Sequence, residues 1–123
     1  MNALIRSFKY AFEGVLYCLK TQRNMRIHFI FASAVTAAGL YFSIEINEWL
    51  ALFITFSLVI TSEMFNTSIE KAVDLATMEY DETAKIAKDV AAGAVLLNAI
   101  IAVIVGISIF WGRIWGEVIK WMN

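Results

Sequence analysis

Charged residues are missing from three stretches of the chain, which contain 16, 14 and 22 residues: Phe29–Ile44, Trp49–Ser62 and Val90–Trp111. A helix that crosses a bilayer needs about 20 predominantly apolar residues. The third stretch meets this length alone, whereas the first two meet it only by including neighbouring polar residues. The pattern therefore predicts an all-α membrane protein with three transmembrane helices, at about 27–46, 48–66 and 89–111.

The segments between these stretches predict how the chain is oriented. The four-residue link Glu45–Glu48 contains no lysine or arginine, so we expect spans one and two to form a tight antiparallel hairpin. Residues 1–28 hold five Lys and Arg residues, residues 64–89 three and the tail two. Because cytoplasmic loops are enriched in these residues, we expect a multi-pass protein of the cell membrane. Its N-terminus would be cytoplasmic and its C-terminal tail external.

Residues 1–21 have the pattern of an amphipathic helix. On a helical wheel, Arg6, Lys9, Glu13 and Lys20 share one narrow face, and aromatic and aliphatic residues fill the remainder. A helix lying on the cytoplasmic leaflet and a helix packed against the transmembrane bundle both fit this pattern. A signal peptide does not fit, since the segment lacks a continuous apolar core.

Composition narrows the class of protein further. Of the 123 residues, 60% are hydrophobic and 17% are charged, whereas soluble domains carry about 25% charged residues. The length predicts one domain over 1–123, and the apolar excess disfavours a soluble enzyme. The formal net charge of −1 gives no basic field for nucleic acid. Cys18 is the sole cysteine, so the chain cannot form an internal disulfide.

A polar stripe begins inside the second predicted span. Glu63, Asn66, Glu70 and Asp74 fall on one face of a helix. An ionisable residue at membrane depth costs about 2.5–3.5 kcal/mol and usually marks a functional site. We therefore expect Glu63 to be functional, because 14 uncharged residues lead directly into it. For Asp74, and for Glu70 less strongly, a solvated helix face is the alternative.

Two further polar clusters flank the spans. Residues 79–89 carry acidic residues first and lysines later, which predicts a short cytoplasmic helix leading into the third span. Lys88 beside Asp89 is either a functional pair or a membrane-surface anchor, and Lys85 is expected to be an anchor. The cluster at 22–28 ends in His28, which we expect to be a hydrogen-bonded interfacial residue.

These residue types suit phosphoryl transfer at a membrane surface. That chemistry needs a base near the acceptor hydroxyl, carboxylates for Mg²⁺ and a cation on the phosphates. Glu63, Glu70 and Lys88 could supply these functions, although the sequence has no glycine-rich phosphate loop. Two non-enzymatic alternatives are a small oligomeric channel or transporter subunit lined by Glu63 and Asn66, and a scaffold whose polar stripe joins helices.

The two polar motifs also resemble those of a known family. Glu-x-x-Asn-Thr-x-Ile-Glu-x-x-x-Asp at 63–74 and Ala-Lys-Asp-x-Ala-Ala-Gly-Ala-Val at 87–95 are similar to motifs of the small bacterial diacylglycerol and undecaprenol kinases. The resemblance covers nearly the whole chain. It implies a homotrimer with one surface helix and three transmembrane helices per chain, and active sites shared between subunits. It also implies that ATP, Mg²⁺ and a lipid alcohol are used.

The resemblance assigns expected functions to individual residues. Glu63 would be the catalytic base that receives the lipid hydroxyl proton, and Asn66 would orient that carboxylate and the γ-phosphate. Glu70 would bind the metal, and Lys88 with Asp89 would contact ATP. Further expected nucleotide-site residues are Tyr10, Glu79, Tyr80 and Asp81.

One metal-site position departs from the family pattern. The family has Glu where this chain has Gln22, and that carboxylate is expected to share Mg²⁺ with the residue matching Glu70. An amide oxygen can still bind a hard cation, but one negative charge is lost, so we expect weaker metal and nucleotide binding. The Arg-x-His sequence ending at His28 resembles the undecaprenol kinases more closely, so undecaprenol is the expected acceptor and diacylglycerol the alternative.

Overall fold

The computed structural model describes residues 2–122 and contains four α-helices in this range. They are α1 (Ala3–Thr21), α2 (Arg23–Tyr41), α3 (Ile46–Ala76) and α4 (Glu82–Met122). No strand occurs between residues 2 and 122. The predicted all-α class is confirmed.

Helices α1 and α2 are joined by a single residue. Gln22 has extended backbone angles (φ −98°, ψ 120°), and its N–H donates to the carbonyl of Cys18. The side chain of Asn2 caps the other end of α1 by accepting from the Leu4 N–H. Cys18 and Met25 are buried on either side of the joint, so the amphipathic helix is fixed against the rest of the chain at its C-terminal end.

The turn between α2 and α3 lies earlier than the sequence pattern indicates. The connection consists of residues 42–45, and the expected link residues Ile46–Glu48 form the first turn of α3. Glu45 and Glu48 form a reciprocal capping box, in which each side chain accepts a backbone N–H at the start of the helix. The two carboxylates therefore begin a helix rather than mark a loop. Ser43, with a φ of 49°, reverses the chain direction.

Helices α3 and α4 are both longer than a bilayer core. At 1.5 Å per residue, their 31 and 41 residues correspond to about 46 Å and about 61 Å. Both are long and apolar enough to cross a membrane. The short helix expected over 79–89 begins at Glu82 as the first part of α4 and continues into the apolar segment without a break, whereas residues 79–81 belong to the connection before it. The first predicted span, at about 27–46, remains a prediction, since the helix there, α2, has 19 residues and begins with Arg23 and Arg26.

Ion pairs join α3 to α4 near both ends of their antiparallel contact. Arg113 donates two hydrogen bonds of 2.9 Å to the carboxylate oxygens of Glu48. Towards the other end, Lys88 Nζ lies 2.6 Å from Asp74 Oδ1. The paired residues are 26 positions apart on α3 and 25 apart on α4, so the two helices run alongside each other in a fixed register.

Apolar side chains pack together near the α2–α3 turn and the Glu48–Arg113 ion pair. Ile44, Leu52, Ile109 and Phe110 form the buried cluster. The opposite side of α4 remains exposed in the single chain, including Leu97, Ile101, Ile104 and Ile107. Such an apolar face requires lipid or other helices around it. All four tryptophans (Trp49, Trp111, Trp115 and Trp121) lie at or beyond the Glu48–Arg113 end, a distribution typical of a membrane interface.

Gly39 provides a test of the α2–α3 packing. A Cβ at this position would lie 2.7 Å from Cη2 of Trp49 and 3.1 Å from Cδ1 of Ile44. We expect Gly39→Ala to lower the free energy of unfolding by about 1–3 kcal/mol, because the rigid indole ring must move. Thermal unfolding in detergent micelles measures the change. Gly14→Ala is the matched control, since its Cβ meets nothing within 4 Å. Equal transition temperatures for the two variants would contradict the packing described here.

Candidate active site

Two cavities follow the groove between the second half of α3 and the first half of α4. The larger is an open cleft of about 610 Å³ near the α3–α4 connection. The smaller, of about 250 Å³, lies deeper along the helices and includes residues of α2. Seven of the ten predicted site residues line one or other of these two cavities.

The larger cleft contains the residues expected to bind the nucleotide near the second motif. Its polar lining consists of Asp74, Thr77, Glu79, Tyr80, Asp81, Lys85, Lys88 and Asp89. Asp81 also has a structural function, since its side chain accepts from the Ala84 N–H at the start of α4. Glu79 and Tyr80 are exposed in the short connection before it.

The two lysines of this cleft form separate ion pairs. Lys88 contacts Asp74 on α3, and Asp89 contacts Lys85 one turn earlier, each at 2.6 Å. Adjacent residues point in different directions on a helix, whereas residues four apart are neighbours. Lys88 therefore faces α3, and Asp74 belongs to the cleft rather than to an isolated solvated face. The hydrogen bond from Lys88 lowers the pKa of the Asp74 carboxyl.

The smaller cavity contains two further predicted residues, Glu63 and Asn66. Their exposed fractions are 2% and 9%, so both polar side chains are buried. The remaining lining comes from Asn24, Ile27, His28, Ala92, Val95, Leu96 and Ala99. Most of this surface is apolar, with the polar groups contributed by α2 and α3.

Three buried polar atoms of the residues lining this cavity have no hydrogen-bond partner among residues 2–122. They are Glu63 Oε2, Asn66 Oδ1 and His28 Nε2. Buried polar atoms are nearly always partnered, so three such atoms around one cavity indicate a site for a polar ligand group. The Asn66 orientation follows from its neighbour, because its Nδ2 donates to Glu70 Oε1 at 3.1 Å.

The two cavities lie close together along the groove. On α4, Lys88 and Asp89 line the cleft and Ala92 begins the lining of the smaller cavity, one turn or about 6 Å further on. On α3, Glu70 lies between Asn66 and Asp74. A ligand in the cleft near Lys88 can therefore approach a group held beside Glu63.

Three of the predicted residues line neither cavity. Tyr10 is exposed on α1, and the Gln22 side chain donates to Thr21 Oγ1 at the α1–α2 joint. Glu70 lies between the cavities and contacts Asn66. Their expected contacts with nucleotide or metal therefore remain predictions.

The donor set around Glu70 fits only a metal that brings ligands of its own. No group of three His, Cys, Asp or Glu residues suited to a metal ion occurs in residues 2–122. Asn66 Nδ2 donates to Oε1 of Glu70, and the second carboxylate oxygen, Oε2, takes no part in this hydrogen bond. Mg²⁺ is commonly bound by one or two carboxylates together with substrate phosphates, and this arrangement suits that mode.

His28 is the residue that sequence reasoning placed outside the site. Together with Asn24 it brings the first turns of α2 to the Glu63 cavity. Their spacing of four residues puts both on one helix face. This spacing is the sequence signal that could have indicated a shared site for Asn24 and His28. A single histidine at the edge of an apolar segment gives no indication of which helix it faces.

The structure is an all-helical fold with two helices long and apolar enough to cross a membrane, and the two cavities lie next to each other between these helices. The family model described as prokaryotic diacylglycerol kinase matches residues 9–110. The chain belongs to this family. Membership favours an enzyme over the channel and scaffold alternatives.

Curated relatives include both kinds of lipid kinase. The chain is 50% identical over 104 residues to a diacylglycerol kinase of Synechocystis, covering 84% of this chain and 59% of that protein. It is 38% identical over 110 residues to the undecaprenol kinase of Bacillus subtilis, covering 89% of each. A diacylglycerol kinase of Helicobacter pylori is 31% identical over 93% of this chain and 82% of its own length.

The ion pair between Asp74 and Lys88 predicts a pH-dependent difference in stability. Because the folded pKa of Asp74 is lowered, the pair stabilises the fold above the ordinary carboxyl pKa of about 4 and loses this contribution as pH falls through the lowered value. We expect Asp74→Asn to have a slightly lower thermal transition temperature than the parent at pH 7, by a few degrees at most, because the pair is largely exposed. The difference should shrink towards pH 3.

Thermal unfolding in micelles across this pH range provides the measurement. Glu13→Gln, in the exposed pair with Lys9, is the control for loss of a surface carboxylate. A deficit of Asp74→Asn that is unchanged at pH 3 would contradict the assignment of the ion pair.

Proposed function

We propose that this chain transfers the γ-phosphate of ATP to the hydroxyl of a membrane lipid alcohol, with undecaprenol as the acceptor. The observation that carries the proposal is the unpartnered Glu63 carboxylate oxygen, buried in an apolar-lined cavity one turn of α4 from the lysine cleft. The active site of a soluble enzyme could not reach a lipid hydroxyl that stays at the bilayer surface because its hydrocarbon chain remains in the membrane.

Glu63 is the proposed general base. As the acceptor oxygen bonds to the γ-phosphorus, its proton passes to the Glu63 carboxylate, and the bond from the γ-phosphorus to the bridging oxygen breaks to leave ADP. A positioned base of this kind contributes about 10²–10⁴-fold to the rate. Asn66 is the proposed residue that orients this carboxylate, and its Nδ2 donates to Glu70, the proposed metal ligand.

Lys88 is the proposed phosphate contact. Its ammonium lies at the edge of the cleft nearest Glu63 and is paired with Asp74. Phosphate oxygens would take the place of the Asp74 carboxylate, so the ion pair holds Lys88 in position beforehand. Mg²⁺ carried by ATP would neutralise phosphate charge, with Glu70 and the Gln22 amide oxygen as its protein ligands. Asp89, Glu79, Tyr80 and Asp81 complete the proposed nucleotide site.

A homotrimer with shared active sites is the proposed assembly. In one chain, Tyr10 and Gln22 line neither cavity, as expected if they complete the site of a neighbouring subunit. The exposed apolar side of α4 gives such neighbours a surface to pack against. We propose that α2 is the first of three transmembrane helices, and that the N-terminus and the cleft face the cytoplasm, where ATP is present.

The lining of the smaller cavity supports undecaprenol as the acceptor. Its polar lining residues are Asn24, His28, Glu63 and Asn66. The remaining walls are apolar and suit an isoprenoid chain with one polar end: Ile27, Ala92, Val95, Leu96 and Ala99. Diacylglycerol is the second candidate, favoured by the name of the Synechocystis relative at 50% identity. Its two ester groups would lie against walls that, apart from the residues beside Glu63, offer one side-chain donor, the Asn24 amide.

Replacing the proposed base tests the function directly. We expect Glu63→Gln to reduce phosphorylation of undecaprenol by about 10²–10⁴-fold with little change in the KM for ATP, because only proton removal is lost. The assay follows transfer of labelled γ-phosphate to lipid in mixed micelles with Mg²⁺. Glu117→Gln, an exposed change on α4 beyond Arg113, should retain the parental rate. Parental activity in Glu63→Gln would contradict the base assignment.

A further inference from the structure

We propose that His28 positions the acceptor lipid by donating a hydrogen bond from Nε2 to its hydroxyl oxygen. This inference rests on the proposed function, because it adds a residue to the acceptor site described above. His28 belongs to α2, whereas Glu63 and Asn66 belong to α3. The acceptor hydroxyl would thus be held between two helices.

The hydrogen-bonding capacity of the three unpartnered atoms leads to this assignment. An ionised Glu63 carboxylate and the Asn66 carbonyl oxygen can only accept hydrogen bonds, whereas a histidine ring nitrogen can donate. A lipid hydroxyl has one proton to give and an oxygen that accepts. If the hydroxyl gives its proton to Glu63, its oxygen needs a donor, and His28 Nε2 is the one of the three that can supply it.

The alternative donor near the cavity is less suited to this function. Asn24 also contributes to the lining, but it is exposed, whereas His28 Nε2 is itself buried. Asn66 Nδ2 is directed to Glu70. A hydrogen bond from His28 therefore satisfies a buried atom of the protein and fixes the hydroxyl so that its proton points to Glu63.

This arrangement also bears on acceptor choice. One hydroxyl satisfies the donor at His28 and an acceptor at Glu63, and the walls beyond are apolar. A lipid alcohol with no other polar group near its hydroxyl fits this set, whereas ester carbonyls next to the hydroxyl would compete for the same donor. We expect His28 to favour a polyprenol over diacylglycerol.

Three substitutions at His28 test the proposal, assayed with undecaprenol and ATP in mixed micelles. His28→Phe keeps a ring of similar size without a donor, and we expect it to raise the KM for undecaprenol roughly three- to tenfold, the worth of one hydrogen bond. The KM for ATP should be unchanged, and kcat should change less than the lipid KM does. His28→Gln places an amide N–H near the Nε2 position and should restore the parental KM, whereas His28→Asn, which is shorter, should not.

Ser33→Ala is the matched control on α2, because its hydroxyl is exposed and bonded to the Phe29 carbonyl. An unchanged lipid KM in His28→Phe, or equal values for His28→Gln and His28→Asn, would overturn the proposal. If His28→Phe does not fold, the comparison of Gln with Asn decides the matter. If the His28 variants overturn this proposal while Glu63→Gln is inactive, the proposed function still holds. Absence of lipid phosphorylation by the parent protein would reject both.

Discussion

The burial of the Glu63 carboxylate is the constraint on which the rest of the structure depends. An ionisable group at the end of a long apolar segment is costly, and here one of its oxygens has no hydrogen-bond partner in the part of the chain that the structure describes. A purely structural helix would gain from an apolar residue at this position. The cost is understandable if a substrate hydroxyl completes the hydrogen bonding, because the carboxylate then meets the proton that it must remove.

The pairing of α3 with α4 places this carboxylate next to the charged cleft. Glu48–Arg113 and Asp74–Lys88 fix the register of the two helices near the ends of their contact. Within that register the last residues lining the cleft on α4 are followed one turn later by the first residue of the Glu63 cavity. Neither helix contains a break between these points, so the nucleotide and lipid parts of the proposed site are held on two continuous helices.

Periodicity and charge in the sequence predicted the helical class and the polar stripe on α3, because both depend on spacing within one helix. Where the prediction was wrong, the determining contacts were local caps or lay between helices. Glu45 and Glu48 looked like a polar link but cap α3. The ion pair of Lys88 with Asp74 joins two helices, and no spacing within one helix predicted it. The position of His28 depends on how α2 packs against α3, which one sequence does not encode in its spacing.

The central claim is that the Glu63 cavity receives the hydroxyl of a membrane lipid alcohol whose remaining surface is apolar. Initial rates of γ-phosphate transfer from ATP to undecaprenol and to diacylglycerol, compared at equal mole fractions in the same mixed micelles, test it most directly. The account predicts Mg²⁺-dependent transfer to both lipids or to undecaprenol alone, with the higher kcat/KM for undecaprenol. A higher kcat/KM for diacylglycerol, or transfer to neither lipid, would contradict it.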